Sequence, residues 1–95
     1  MSDLFEPSRA RRATIVNDKG LHARAAAKLA KLAATFKAEI SVTRGDTTVS
    51  ARSIMGLMML AAAKGSTIDL SARGPDADAA INAAVALVDS GFGEN

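Results

Sequence analysis

Residues 23–36, ARAAAKLAKLAATF, carry the clearest structural pattern in this chain. Apolar side chains recur there at intervals of four, three and four residues, at Ala25, Leu29, Leu32 and Phe36. This spacing places them on one stripe of an α-helix, and the residues between them are strong helix formers. The stretch therefore predicts a helix that packs one face against a core.

Short runs of alternating apolar and polar residues lie on both sides of this helix. Alternation is the period of a strand with one buried face. The strands predicted in this way cover residues 11–16, 39–44, 47–51 and 67–73. The turn Arg44-Gly45-Asp46 joins the second and third of them into a hairpin.

Two further helices are predicted in the second half of the chain. The first covers residues 54–60 and follows Ser53, a preferred N-cap residue. The last begins after Gly74-Pro75-Asp76 and stops at Gly91. The resulting order, βαββαβα, indicates an α+β domain in which helices cover one side of a four-stranded, largely antiparallel sheet.

The length of 95 residues suits one domain with a single core. We expect this domain to span residues 11–91, with a flexible leader at 1–10 and a C-terminal tail at 92–95. The longest apolar run is far shorter than the roughly 20 residues of a membrane-spanning helix, and the opening residues lack the apolar stretch of a signal peptide. We therefore expect a cytoplasmic protein that does not insert into membranes.

The composition excludes several kinds of site. The chain has no Cys, Trp or Tyr and one His, and its acidic residues are scattered singly. Disulfides, metal sites and paired-carboxylate catalysis therefore lack the residues they need, and we expect no metal and no cofactor. The net charge of +2 does not demand nucleic-acid binding, and few residues are available to stack on bases.

His22 stands between the end of the first strand and the first turn of the best-defined helix. The first amides of a helix have no internal partner and carry partial positive charge, so this position favours an anion, and Arg24 adds a cation. A neutral imidazole there can act as a nucleophile towards phosphorus. A lone surface histidine near a helix start is also commonly a solvated neighbour of the cap, so position alone leaves both interpretations open.

Two separated motifs bear on this choice. Gly20-Leu21-His22-Ala23-Arg24 is followed about thirty residues later by Ser53-Ile54-Met55-Gly56-Leu57-Met58. Together they resemble the bacterial phosphocarrier HPr family over residues 11 to 91. The resemblance implies an open-faced β-sandwich with strand order 1-4-2-3, and a carrier rather than an enzyme.

The resemblance also assigns roles to residues. It implies that His22 is phosphorylated on Nδ1 by Enzyme I, which draws on phosphoenolpyruvate, and passes the group to Enzyme IIA-type proteins. Arg24 inherits the phosphate-stabilising role by position. Arg24 and Lys28 also belong to a basic stripe that could steer an acidic partner or be an ordinary solvated face. We expect the carrier to act as a monomer.

Ser53 matches the family's regulatory serine, the target of an HPr kinase/phosphorylase where one exists. Its preference for the N-cap position explains its presence equally well. The family match assigns Ile54, Met55 and Met58 to a partner-docking surface, although an apolar run at helical spacing is commonly core. A helix this short cannot bury every side chain, so we expect Leu57 and Leu60 to point inward.

One position departs from the family pattern. Ala25 stands where most members have Pro directly after the His-Ala-Arg triplet. With the Ala-rich helix, this resembles the nitrogen-related branch of alphaproteobacteria and leaves a role in sugar uptake in doubt. A second hypothesis, a purely allosteric module of the same fold that lacks the histidine, is disfavoured by the presence of His22.

Overall fold

The computed structural model describes residues 8–94. Within them the strands are β1 (Ser8–Thr14), β2 (Glu39–Arg44), β3 (Thr47–Ser50) and β4 (Thr67–Arg73). The α-helices in the same range are α1 (Ala23–Ala33), α2 (Ile54–Met59) and α3 (Ala77–Asp89). A short 3-10 turn, Gly91–Gly93, follows α3. The predicted order βαββαβα is confirmed.

The strands form one antiparallel sheet in the order β1-β4-β2-β3. Leu70 of β4 pairs with Arg11 of β1 on one side and with Val42 of β2 on the other. Alternate residues of β4 are buried, and those between them are exposed. The helices therefore cover one face of the sheet and leave the other open, as the sequence predicted.

Alanine side chains bring the helices close to the sheet and to each other. α1 buries Ala25, Ala26, Leu29, Ala30 and Ala33, and α3 buries Ala77, Ala80, Ile81, Ala84, Val85 and Val88. α3 packs on β1 and β4, while α1 packs against α2 and α3. Small side chains at these contacts let the backbones approach, and the larger Leu, Ile and Val residues fill the space beneath.

α1 ends earlier than the sequence pattern suggested. The stripe extended to Phe36, but the helix stops at Ala33, and Leu32 and Phe36 are only partly buried against the core. Thr35 explains the ending, because its hydroxyl donates to the Leu32 carbonyl at 2.7 Å and its amide donates to the same oxygen at 3.0 Å. A side chain that bonds the backbone in this way competes with helix propagation.

The first strand lies further toward the N-terminus than we expected. β1 covers Ser8–Thr14 rather than residues 11–16, because Ser8, Arg9 and Ala10 pair with Arg73, Ala72 and Ser71. The leader expected at residues 1–10 is therefore wrong for residues 8–10, and residues 1–7 lie outside the described residues. Alternation missed this extension because these residues lack buried side chains, and backbone pairing with β4 decides their conformation.

The expected C-terminal tail at residues 92–95 is likewise wrong for its first residues. Phe92 is completely buried and belongs to the hydrophobic core, although Asn95 lies outside the described residues. Phe92 adopts a left-handed backbone conformation with φ of 57°, which a bulky residue avoids unless its surroundings compensate. Burial of the ring supplies that compensation, so the chain after α3 is part of the folded domain.

Replacement of Phe92 by Ala should lower the free energy of unfolding by about 3 kcal/mol or more, because it leaves a cavity in the core. Met59, which is 75% exposed, is the matched control. Met59→Ala should change the free energy of unfolding by less than about 0.5 kcal/mol. Urea unfolding followed by circular dichroism measures both values, and equal midpoints for the two variants would contradict the structural role of Phe92.

Candidate functional site

A tight turn before α1 places His22. The Gly20 amide donates to the Asn17 carbonyl at 3.1 Å, and Gly20 has a φ of +64°. A Cβ atom at Gly20 would lie 2.5 Å from the Ala62 carbonyl oxygen, so only glycine fits. The next amide, that of Leu21, donates to the same Ala62 oxygen at 2.9 Å. This contact fixes the chain one residue before His22.

His22 is the N-cap residue of α1, with an extended backbone, and its side chain makes no capping hydrogen bond. The carbonyl of His22 accepts the amide of Ala26 at 2.8 Å, so the helix begins directly after it. The first-turn amides of a helix lack acceptors within the helix. Because His22 does not cap them, the partial positive charge at the start of α1 remains available to an anion beside the ring.

A cavity of about 360 Å³ opens beside the imidazole. Its lining residues are Asp18, Lys19, His22, Arg24, Lys28, Gly93 and Glu94. Across residues 8–94, neither Lys19 nor Arg24 forms a hydrogen bond or ion pair, so both cations are available to a bound group. The structure therefore brings the predicted residues His22, Arg24 and Lys28 together at one polar cavity.

Glu94 reaches the same ring from the opposite end of the chain. One of its carboxylate oxygens, Oε2, contacts Nε2 of His22, and the other accepts a hydrogen bond from Nδ2 of Asn17 at 3.0 Å. The hydrogen bond from His22 is the main reason that the pKa of Glu94 lies below its usual value, and Asn17 acts in the same direction. Glu94 is therefore a carboxylate at neutral pH.

Asn17 connects the turn to the C-terminus. Its buried side chain also donates to the Gly20 carbonyl at 2.8 Å, so one amide group holds both the turn before His22 and the Glu94 carboxylate. Sequence reasoning missed Asn17 and Glu94, because 72 residues separate His22 from Glu94 and no local pattern links them. The one available signal was Phe92, a large apolar residue in a segment otherwise read as a polar tail.

We call Gly91–Glu94 the C-terminal hook. Phe92 anchors it in the core, and Nζ of Lys28 donates to the Phe92 carbonyl at 2.6 Å. Lys28, predicted from the sequence as a partner-binding residue, therefore also holds the hook against α1. This internal hydrogen bond was not foreseen, since it depends on where the chain after α3 returns.

Ser53 is the N-cap of α2, as predicted. Its hydroxyl accepts the Gly56 amide at 2.9 Å, and Ser53 is exposed. A Cβ atom at Gly56 would come within 3.0 Å of the Ser53 hydroxyl oxygen, so glycine keeps space for the cap. The cap alone explains why serine stands at this position.

The apolar side chains of α2 divide as expected. Leu57 and Leu60 are buried, whereas Ile54, Met55, Met58 and Met59 are 43%, 72%, 43% and 75% exposed. We call these four exposed side chains the α2 patch. α2 packs against α1, and Leu21, the residue before His22, bonds the segment that follows α2. The α2 patch and the His22 cavity therefore lie on neighbouring elements.

Other kinds of site find no support in the part of the chain that the structure describes. No cluster of three or more His, Asp or Glu side chains is placed to hold a metal ion among residues 8–94. No helix in this range is long and apolar enough to cross a membrane.

Known proteins are similar to this chain in both sequence and fold. Residues 10–90 match the family model PTS-HPr, described as "PTS HPr component phosphorylation site". The phosphocarrier protein NPr of Shewanella violacea is 54% identical over 84 residues, which are 88% of this chain and 92% of that protein. The phosphocarrier protein HPr of Cupriavidus necator is 51% identical over 81 residues, 85% of this chain and 91% of that protein.

A solved structure agrees with these sequence matches. The crystal structure of HPr-C-His from Thermoanaerobacter tengcongensis superposes with a TM-score of 0.87 at 41% identity. It covers 92% of this chain and 98% of the chain compared. Similarity of this extent includes the open-faced sandwich and all its strands and helices.

Proposed function

Because this chain belongs to the HPr family of phosphocarriers of the phosphotransferase system, we propose that His22 is the residue that carries the phosphoryl group. A phosphocarrier of this family is not an enzyme but holds the group on a histidine between Enzyme I and Enzyme IIA-type proteins. His22 is the only histidine in the sequence. This single observation carries the assignment, and the surroundings of His22 suit it.

The site suits attack by Nδ1. Glu94 occupies Nε2 of His22, while Nδ1 has no partner among residues 8–94. In the proposed step the lone pair of Nδ1 attacks phosphorus, and the bond from phosphorus to the donor breaks. The open first-turn amides of α1 and Arg24, which forms no ion pair within the described part of the chain, then neutralise charge on the transferred oxygens.

The downstream acceptor is a second part of the proposal. We propose that this carrier serves the nitrogen-related branch rather than sugar uptake. The NPr of Shewanella violacea, at 54% identity, supports this choice, and the HPr of Cupriavidus necator is 51% identical. We also propose that the carrier acts as a cytoplasmic monomer, because one chain completes the His22 cavity and a sequence without Cys suits a reducing compartment.

Loading with phosphoenolpyruvate, magnesium and Enzyme I should add one phosphoryl group to the wild-type protein, and acid should remove it, since phosphohistidine is acid-labile. His22→Ala should gain none and should keep its fold, because His22 is not in the core. Intact-mass spectrometry before and after acid gives both results. Acid-labile phosphorylation of His22→Ala would contradict the assignment of His22 as the carrier residue. Preferential phosphoryl transfer from the loaded wild type to a sugar-type IIA protein would contradict the proposed nitrogen-related role.

Arg24→Ala should lower the rate constant for phosphorylation about tenfold to a hundredfold, with a smaller rise in the Michaelis constant for the carrier. The reason is that the charge of Arg24 is most useful to the phosphoryl group in flight. Lys31→Ala is the control, because it removes a cation from the same helix about two turns away and outside the cavity. A change confined to the Michaelis constant would show instead that Arg24 only docks the partner.

We further propose that phosphorylation of Ser53 by an HPr kinase/phosphorylase regulates docking, and that the α2 patch, Arg24 and Lys28 form the partner surface. Ser53 is exposed and directly precedes Ile54 and Met55, so a kinase can reach its hydroxyl and a phosphate would stand beside the patch. A dianion there must lose its water, or meet acidic groups, when a partner covers the patch.

Ser53→Asp should raise the Michaelis constant of Enzyme I for the carrier about tenfold, while leaving the chemistry at His22 intact. Ser53→Ala separates this charge effect from the loss of the cap, which costs about 1 kcal/mol of stability. Steady-state phosphorylation assays at several carrier concentrations measure the effect. If Ser53→Ala and Ser53→Asp slowed the reaction equally, Ser53 would be only a helix cap.

A further inference from the structure

We propose that the methionines of α2 are oxidation sites that control docking: conversion of Met55 and Met59 to methionine sulfoxide weakens the binding of Enzyme I and leaves the chemistry at His22 unchanged. The proposal rests on the proposed function of the α2 patch as part of the partner surface. It gives that surface a second modification, chemically different from phosphorylation at Ser53.

The methionines of this chain are concentrated on one helix. The sequence contains four Met, and three of them, Met55, Met58 and Met59, lie in α2. The fourth, Met1, lies outside the described residues. Because the chain has no Cys, Trp or Tyr, the methionine sulfurs are the most readily oxidised groups that its composition provides. A peroxide that meets the folded domain is therefore expected to react at α2.

Exposure divides the α2 patch into two rows. Met55 and Met59 are four residues apart on the same face of the helix, and they are 72% and 75% exposed. They are the two most exposed large hydrophobic residues in the described part of the chain. Ile54 and Met58 form the second row and are each 43% exposed. A dissolved oxidant reaches the first row without any opening of the domain, so Met55 and Met59 should react before Met58.

The modification is a two-electron oxygen transfer from a peroxide. A lone pair of the methionine sulfur attacks one oxygen of hydrogen peroxide, the O–O bond breaks and a sulfur–oxygen bond forms. The other oxygen leaves as water, so the peroxide is reduced and the thioether is oxidised to a sulfoxide. Methionine sulfoxide reductases reverse the step with two thiols as the electron source, and the oxygen again leaves as water. The surface can therefore return to its apolar state.

Oxidation changes the property on which docking at this patch depends. The α2 sequence IMGLMM has no charged or polar side chain, whereas a sulfoxide is polar and accepts hydrogen bonds. A partner that covers the patch must remove water from each sulfoxide oxygen, and an apolar contact surface supplies no donor in return. Leu57 and Leu60 remain buried and keep α2 on the domain. We therefore expect weaker docking without unfolding.

Peroxide treatment of the whole chain tests the proposal. Catalase removes the excess peroxide, and fragment mass spectra locate each added oxygen, which should appear first on Met55 and Met59. In steady-state loading from phosphoenolpyruvate, magnesium and unoxidised Enzyme I, the Michaelis constant for the oxidised carrier should rise about tenfold, and kcat should stay within about twofold. Methionine sulfoxide reductases with a thiol should restore the original Michaelis constant.

The matched control combines Met55→Leu, Met58→Leu and Met59→Leu, which keep an apolar side chain of similar size and remove the sulfur. It is compared with its own untreated sample, so any effect of leucine on docking cancels. Its Michaelis constant should not respond to peroxide. A second variant combines Met55→Gln and Met59→Gln, which imitate the polarity of the sulfoxide without an oxidant. Its Michaelis constant should rise in the same direction as that of the oxidised wild type.

An unchanged Michaelis constant of the oxidised wild type, or an equal rise in the treated leucine variant, would overturn the proposal. A marked fall in the urea midpoint of the oxidised wild type would also overturn it, because the loss of docking would then come from unfolding. Failure of the untreated carrier to load on His22 would instead overturn the proposed function. Normal docking of the glutamine variant would show that the α2 patch is not the partner surface, whatever the pattern of oxidation.

Discussion

The close contact between the Gly20 turn and the Ala62 carbonyl is the constraint on which the site depends. Leu21 donates to this oxygen at 2.9 Å, and any side chain at Gly20 would collide with it. The contact ties the start of α1 to the segment that follows α2. A backbone hydrogen bond therefore holds His22 and the α2 patch on adjacent elements, and this contact does not depend on a particular side chain.

In the proposed function His22 accepts the phosphoryl group and releases it again, and three features surround its ring. The start of α1 offers open amides, Arg24 offers a cation that has no partner among residues 8–94, and Glu94 offers a carboxylate on Nε2 of the ring. Each acts on a different part of the reacting group. Because the cavity is open to solvent, a partner can approach His22 directly and complete the site.

Helix α2 contributes to the core on one side and presents apolar side chains to solvent on the other. Leu57 of α2 and its C-cap residue Leu60 belong to the buried core, while the four side chains of the α2 patch remain exposed to varying degrees. Ser53 and Gly56 cap the helix and keep its first turn in place beneath that patch. Unbranched methionine side chains can adapt to partners of different shape, which suits a carrier that meets both a donor and an acceptor.

The sequence by itself determined the order of elements, the buried leucines of α2, the alternating burial along β4, the cap at Ser53 and the candidate residues His22 and Arg24. These features follow from local periodicity and short motifs, and local physics decides them. Only the tertiary structure placed Ser8–Ala10 in a strand. These residues have no buried side chains, and backbone pairing with β4 alone holds them there. Only the tertiary structure joined Glu94 and Asn17 to His22, because that contact needs the whole sheet and α3 to bring the C-terminus back over α1.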